Sequence, residues 1–377
     1  MKMTRRGFML KSMAGAGLLV GSGALFSACM GHGVRRDDFR NGARAFEPVP
    51  ALDEDTAAIL YYASLAPSGH NSQPWYIKMI DRNEFLVGAD PARRLTAVDP
   101  DNREALLSIG AFLENLSIAA GCLGYEAEIK VIANSQKDEE VARVTLRKAK
   151  ATDYPISRLV SRKTVKRGHL TTVIKAADID FLSGELKGHL FYFPRDTRHA
   201  NCIKEGAIEA YRSWVERDAA QKENTAWSRL SNADARKYRD GLTTEGMEIK
   251  GIAGFYVRNF VSPEDFMKPG MLKQSLQFAV DRAGEGGGWI IITGYGDGVA
   301  GLIETGRRFE RMALTARERL IGLHPMTQLL EEEPGQKLIA SNHVSRMNAQ
   351  FVLRVGYVES YPQPVSLRRP VSWFLRT

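Results

Sequence analysis

Ala66-Pro67-Ser68-Gly69-His70-Asn71-Ser72-Gln73-Pro74-Trp75 is the stretch on which the reading of this chain turns. Pro67 and Gly69 interrupt the helical pattern before them, and Pro74 fixes the backbone just ahead of the strand-like Trp75-Tyr76-Ile77. A stiff loop between helix and strand is expected, presenting backbone N–H groups and short polar side chains to a planar partner. Read alone, the same residues would also serve as a helix-to-strand turn with a core tryptophan.

Upstream of the loop, Asp53-Glu54-Asp55 opens a helix that runs through Ala63 and stops at Pro67. Downstream, strands are expected at residues 75–79 and 84–87, then a helix with Asp99 as N-cap and Pro100 at N1. Leu106, Ile109, Leu113, Leu116 and Ala120 give that helix one apolar face. Gly124 can cap its end in the left-handed region, and strands follow at 129–131 and 141–146. The later sequence echoes this order. Leu302, Gly306, Phe309, Ala313, Ala316 and Leu320 repeat at helical spacing, with an N-cap near Asp297 and Gly322 at the C-terminal end. A strand then ends at Gly356-Tyr357.

Between the two halves, residues 224–288 are polar at first and then rich in methionine and aromatics, including Met247, Phe255, Tyr256, Phe260, Phe266, Met267 and Met271. They read either as helical core or as a lid over a site. Gly284 to Gly288 turns into an apolar strand at 289–293. Gly294-Tyr295-Gly296-Asp297-Gly298 has neither the spacing nor the strand-helix setting of a dinucleotide fingerprint.

The N-terminus speaks to compartment. Thr4-Arg5-Arg6-Gly7-Phe8 precedes an uncharged run over 12–29, the pattern of a twin-arginine export signal, so the periplasm or cell envelope is expected. Leu25-Phe26-Ser27-Ala28-Cys29 leaves two processing outcomes open: ordinary cleavage, or lipidation at Cys29. The division expected is signal 1–29, linker 30–50, first half 51–150, and second half 151–377 containing the insertion. The 377 residues carry a formal charge of +8, four of it from the signal, which is no nucleic-acid signature. Cys122 and Cys202 leave room for one disulfide, and no His or Cys spacing suggests a metal.

Arg158 through Arg167 is a basic run in which Arg162-x-Thr164-x-Lys166 sets cation, hydroxyl and cation on one side of an extended segment. That chemistry suits a phosphate, although a solvated basic face would look the same.

The loop at 66–75 resembles the flavin-edge loop Pro-Ser-x-x-Asn-x-Gln-Pro-Trp of the FMN-dependent nitroreductase superfamily. The resemblance implies that Pro67, Ser68, Gly69, Asn71 and Gln73 meet the polar rim of the isoalloxazine. Arg162, Thr164 and Lys166 are similar to the family's Arg-x-Ser/Thr-x-Lys/Arg element on the FMN phosphate and ribityl chain. Leu367-Arg368-Arg369-Pro370 looks like the family's terminal Arg-Pro element, which places Arg368 on the phosphate with Arg369 as its neighbour. Gly322-Leu323-His324-Pro325-Met326-Thr327-Gln328 resembles the element whose N–H groups approach flavin N5. Thr327 and Gln328 stand there where many active reductases have Glu-Gly.

The Pro-Ser loop lies in the first half and the Arg-x-Thr element in the second, which resembles the fused, pseudo-dimeric Acg-like branch. The resemblance, over roughly 50–377, implies an α+β nitroreductase-like fold of two tandem halves, mostly antiparallel sheets flanked by helices, with a helical lid-like insertion and one FMN. It implies an oxidoreductase that passes electrons through FMN to a small nitroaromatic or quinone acceptor, and the N-terminal signal implies that it is exported. An exported enzyme would draw on a quinol or a redox protein. The alternatives are a lidded, non-catalytic FMN binder that sequesters or senses, and a flavinless envelope protein. No acid-base residue is nominated, though His70 and His324 stand near the expected ring. Monomer and homodimer are both open.

Overall fold

The computed structural model describes residues 31–39, 46–296, 298–333, 335–337 and 348–376. The signal segment, Cys29 and the expected cap at Asp297 lie outside them. Helix α1 (Glu54–Ala63) begins at Asp53, whose carboxylate accepts from the Thr56 N–H at 3.0 Å. After the loop come β1 (Trp75–Asp81), β2 (Glu84–Ala89), α2 (Arg103–Cys122), β3 (Tyr125–Val131) and β4 (Glu140–Lys148). The four strands pair antiparallel in the order β1-β2-β4-β3.

The same arrangement recurs downstream. Strand β5 (Leu190–Pro194) leads into a long excursion carrying α3 (Arg198–Glu216), α4 (Gly251–Phe260) and α5 (Pro269–Ala283). Then follow β6 (Gly288–Thr293), α6 (Gly298–Thr315), β7 (Ile321–Pro325), the one-turn helix α7 (Gln328–Glu331) and β8 (Ala349–Tyr357). The second sheet has the order β5-β6-β8-β7, all antiparallel, so it repeats the topology of the first. The short C-terminal strand β9 (Leu375–Arg376) crosses back and pairs parallel with β1.

The halves meet along α2 and α6. Both helices carry Leu-x-x-x-Gly-x-x-x-Glu: Leu106, Gly110, Glu114 in one and Leu302, Gly306, Glu310 in the other. A Cβ on Gly110 would lie 2.3 Å from the Ile303 carbonyl, and one on Gly306 would lie 2.1 Å from the Leu107 carbonyl. The two backbones therefore touch reciprocally, and only glycine permits it. Around this contact one apolar cluster spans both sheets, from Trp75 and Phe112 to Ile290, Phe309, Phe351 and Leu353. Phe309 and Phe351 stack at 4.2 Å.

Several expectations are corrected. Helix α2 starts at Arg103, after Asn102, and not at Pro100. Asp99 still caps it from a distance, accepting from the Glu104 and Ala105 N–H groups at 3.1 and 2.9 Å. Gly322 lies inside β7 rather than at a helix end. The expected linker is no free tether over its described parts. Val34 and Val49 are buried, Gly33 N–H donates to Glu245, and Arg36 donates to the Val160 carbonyl. By connectivity the excursion from the second sheet begins after Pro194, well before 224, because α3 also separates β5 from β6. Cys122 and Cys202 are both free thiols.

Replacing Gly306 by alanine would add helix propensity yet drive a methyl into a backbone carbonyl that cannot give way. Gly306→Ala is expected to lose about 1–3 kcal/mol of stability, as overpacked cores do. Denaturant unfolding checks this, and a variant as stable as the wild type would refute the close helix contact.

Candidate functional site

The loop after α1 is locally strained. His70, Asn71 and Gln73 all have φ near +50°, three of four consecutive residues in the left-handed region. Such backbone costs about 1–3 kcal/mol per residue unless its surroundings impose it. Here they do. Ser72 N–H donates to the Gly69 carbonyl, Asn71 N–H to the Ser68 carbonyl, and Gln73 N–H to Ser68 Oγ at 2.9 Å. The C-terminal segment closes the other side. Arg369 N–H donates to Gln73 Oε1 at 2.8 Å, and its guanidinium donates to the Gln73 and Trp75 carbonyls.

Arg162 and Arg368 converge on the start of this loop. Both donate to the Leu65 carbonyl, at 3.3 and 2.9 Å, and Arg368 also reaches the Ala66 carbonyl and Asn71 Oδ1. Beneath them lies Glu310, wholly buried on α6, 3.4 Å from Arg162 Nε. It is the ion-pair partner of Arg162 and acts on Arg368 from farther off, and neither Arg162 Nε nor Arg368 Nε has a hydrogen-bond partner. Burial pushes the Glu310 carboxyl up to about 7, with Arg162 and Arg368 pulling it back. Burial likewise holds Arg368 well below the usual arginine range, helped by Arg162 and Arg36.

The segment after Arg162 runs beside β7, with Val165 N–H donating to the Leu323 carbonyl at 3.1 Å. Its sides alternate as expected of extended chain. Val165 is buried and Lys163 pairs with Glu248 at 3.1 Å, while Thr164 and Lys166 are half-buried. Lys166 is pushed down to about 8 by burial and by Arg282, with Glu248 opposing. His70 is pushed down to about 4 by burial and by the charge of Lys166. His324 pairs across the sheet with Arg354 of β8 and takes a 3.1 Å contact from its guanidinium at Nδ1. Burial and Arg354 hold it well below the usual histidine range. Both imidazoles are thus neutral at physiological pH, and neither is a ready proton donor.

Thr327 and Gln328 sit at the start of α7, held in place by buried Met326 and Leu329. The Glu331 N–H donates to the Thr327 carbonyl at 3.1 Å, and the Glu331 carboxyl is raised well above the usual range by burial and then by Glu104. Glu104 in turn lies under the Pro-Ser loop, where a Cβ on Gly69 would be 3.1 Å from its Oε2. Glu104 and Glu331 thus lie between Gly69 of the first half and Thr327 of the second.

The donor set fits an FMN phosphate at Arg162 and Arg368, where two buried cations have one carboxylate and unused N–H capacity. Asn71 and Gln73 fit differently from expectation. Both amide ends of Gln73 are engaged, Nε2 donating to the Arg239 carbonyl at 3.0 Å. Asn71 accepts from Arg368 and donates to the Gly241 and Leu367 carbonyls. These two residues shape the loop and bind it to its neighbours. A cavity of about 560 Å³ opens at the N-terminal ends of α2 and α6, lined by Asp99, Arg103, Gly298, Glu331 and Gln350 among others. None of the nominated residues lines it, and it approaches them through Glu331. Sequence reasoning missed Glu310, Glu104, Glu331 and Arg354. The shared Leu-x-x-x-Gly-x-x-x-Glu register pointed to Glu310, and an arginine inside the apolar run Phe351 to Val355 pointed to Arg354.

No family model matches the chain. A solved structure, "Crystal Structure of the Nitroreductase-like Family Protein from Bacillus cereus", aligns with a TM-score of 0.33 at 10% identity, over 61% of this chain and 98% of that one. Two Mycobacterium tuberculosis proteins align over most of their length. "Putative NAD(P)H nitroreductase Rv3131" is 22% identical over 334 residues, 85% of this chain and 90% of that protein. "Putative NAD(P)H nitroreductase acg" is 23% identical over 324 residues, 82% of this chain and 91% of that one. The chain is an α+β protein, similar along most of its length to mycobacterial proteins named for nitroreductase activity.

Proposed function

We propose that this chain is an FMN-binding oxidoreductase of nitroreductase type, exported by the twin-arginine route. The observation that carries the reading is the pair Arg162 and Arg368 over the single carboxylate Glu310, directly beneath the strained Pro-Ser loop. A buried surplus of positive charge is costly unless an anion completes it. In this reading Arg162, Thr164 and Arg368 hold the phosphate. Pro67, Ser68, Gly69 and Lys166 border the ring, and the backbone of Thr327 and Gln328 faces its reactive edge. FMN supplies the electron-transfer chemistry, and the protein supplies orientation and electrostatics. The acceptor is a small nitroaromatic or quinone. The mycobacterial names make NAD(P)H the first donor to test, and an exported protein would use a quinol or redox protein. Both contributing segments come from one chain, so a second copy is not needed to build the site.

A second reading, a lidded FMN binder without turnover, is favoured by one observation. The excursion's segment 239–241 clasps the loop: Gly241 N–H donates to the Asn71 carbonyl at 3.2 Å, and Asp240 pairs with Arg93. Titrating purified protein with dithionite and with NADPH separates the two readings. Flavin bleached by NADPH and reoxidised by a quinone supports the reductase, and flavin bleached by dithionite alone supports the binder. A protein colourless after incubation with FMN would refute both.

Arg368→Met is expected to weaken FMN about tenfold or more, since a charge-assisted hydrogen bond is worth about 1.5–3 kcal/mol. Riboflavin, which lacks the phosphate, should bind wild type and variant alike. Equal loss for both ligands would remove the phosphate from Arg368.

Glu310 adds a pH signature to the flavin-free protein. Its folded value, about 7, lies above the ordinary 4.5, so its contribution is full below 4.5 and lost as pH rises through 7. The stability of wild type relative to Glu310→Gln should therefore fall over that window, by on the order of 3 kcal/mol. Urea unfolding at both ends of the window checks this, and a constant difference would show that Glu310 is ionised throughout.

A further inference from the structure

Beyond the phosphate end, the cations around Lys166 outnumber their carboxylates. Lys163, Lys166, Arg167, Arg282 and Arg354 lie together, with Glu248 and Glu285 as the acids among them. Both acids are taken: Glu248 pairs with Lys163 at 3.1 Å, and Glu285 with Arg354 at 3.0 Å. Neither Lys166 nor Arg282 has a carboxylate within 4 Å among the described residues. Asp281, next to Arg282, is engaged by Gln277 at 2.8 Å.

Arg354 fixes this geometry. Its guanidinium, wholly buried, donates to the Arg282 carbonyl at 2.5 Å and to the Lys166 carbonyl at 2.7 Å, and also contacts His324. One side chain thus ties the end of α5 to the basic segment and to β7. The side chains of Lys166 and Arg282 are half-buried, and the charge of Arg282 lowers the proton affinity of Lys166. Helix α5 also exposes Phe278, whose ring lies under the Arg167 guanidinium at 5.5 Å. An arginine in the last turn of a helix commonly serves the helix dipole. That role does not account for a second unpaired cation held opposite it, nor for the aromatic face alongside.

We propose that Lys166 and Arg282 form an anion-binding pair where α5 meets the flavin pocket, so that the small molecule exchanging electrons there carries a carboxylate, sulfonate or phosphate group on an aromatic or quinonoid body. The inference rests on the flavin reading for the word "exchanging", while the anion site stands on the cation geometry alone. An anion between the two groups would replace their mutual repulsion with two charge-assisted hydrogen bonds. Phe278 supplies apolar surface for the body of the ligand. His70 and His324, neutral through burial, add no competing charge.

The test uses the full chain and Arg282→Met, which keeps the backbone carbonyl that Arg354 binds. Flavin content and unfolding midpoint are measured first. Bound flavin is then photoreduced without oxygen and reoxidised with anthraquinone sulfonate or with neutral menadione. The ratio of sulfonate to menadione rates should fall about tenfold in the variant. Calorimetry with naphthalene sulfonate on the flavin-free proteins gives a readout that needs no turnover, and binding should weaken by a similar factor and more steeply with salt in the wild type. A ratio unchanged, or both rates falling together, would assign Arg282 to the flavin or the fold and overturn the proposal. If neither protein retains flavin, the oxidoreductase reading fails and calorimetry alone decides the anion site: equal sulfonate affinity overturns it.

Discussion

Everything in this molecule is placed by the contact between α2 and α6. Gly110 and Gly306 let two helix backbones approach until a carbonyl of each fills the space where the other would carry a methyl. That approach fuses two sheets of identical strand order into one apolar core. It also sets Glu114 and Glu310 one helical turn beyond the crossing. Glu114 meets Arg307 of α6 at 2.9 Å, and also Arg311. Glu310 instead meets Arg162, beneath the Pro-Ser loop. The repeat is symmetric in backbone and asymmetric in charge, and the candidate site lies where the charges differ.

The asymmetry shows how buried charge is distributed. Glu114 has two arginines from the facing helix, and the group is closed. Glu310 serves two arginines of its own, and the protein completes them with backbone carbonyls from Leu65 and Ala66 rather than with a second carboxylate. Carbonyl dipoles partly satisfy a guanidinium but do not neutralise it. Strain accumulates at the same place, in the left-handed residues of the loop, so electrostatic and conformational cost are concentrated together.

Much of this was legible in the chain. Proline and glycine spacing marked the loop, alternation marked most strands, and three-four spacing marked both central helices. The start of α2 was misplaced because Asp99 caps at longer range, across an Asn102 in the left-handed region that leaves no periodic trace. The extent of the excursion was misjudged because α3 is amphipathic and packs like any core helix, so only strand pairing shows that it separates β5 from β6. The loop polar residues were recognisable, but their partners were not. Gln73 bonds to residues 239 and 369, and such distant pairings follow from topology rather than local pattern. Arg282 left no local signal either, because the charges around it come from distant segments.

The loop's shape is imposed by Leu367, Arg368 and Arg369, whose bonds to it span nearly three hundred residues, and β9 then seals the edge of the first sheet. The loop therefore takes its shape only once the C-terminal segment has docked. Detachment of residues 367–376 would leave most of the apolar core packed and release the left-handed residues of the loop from the bonds that hold them, a local opening well short of global unfolding.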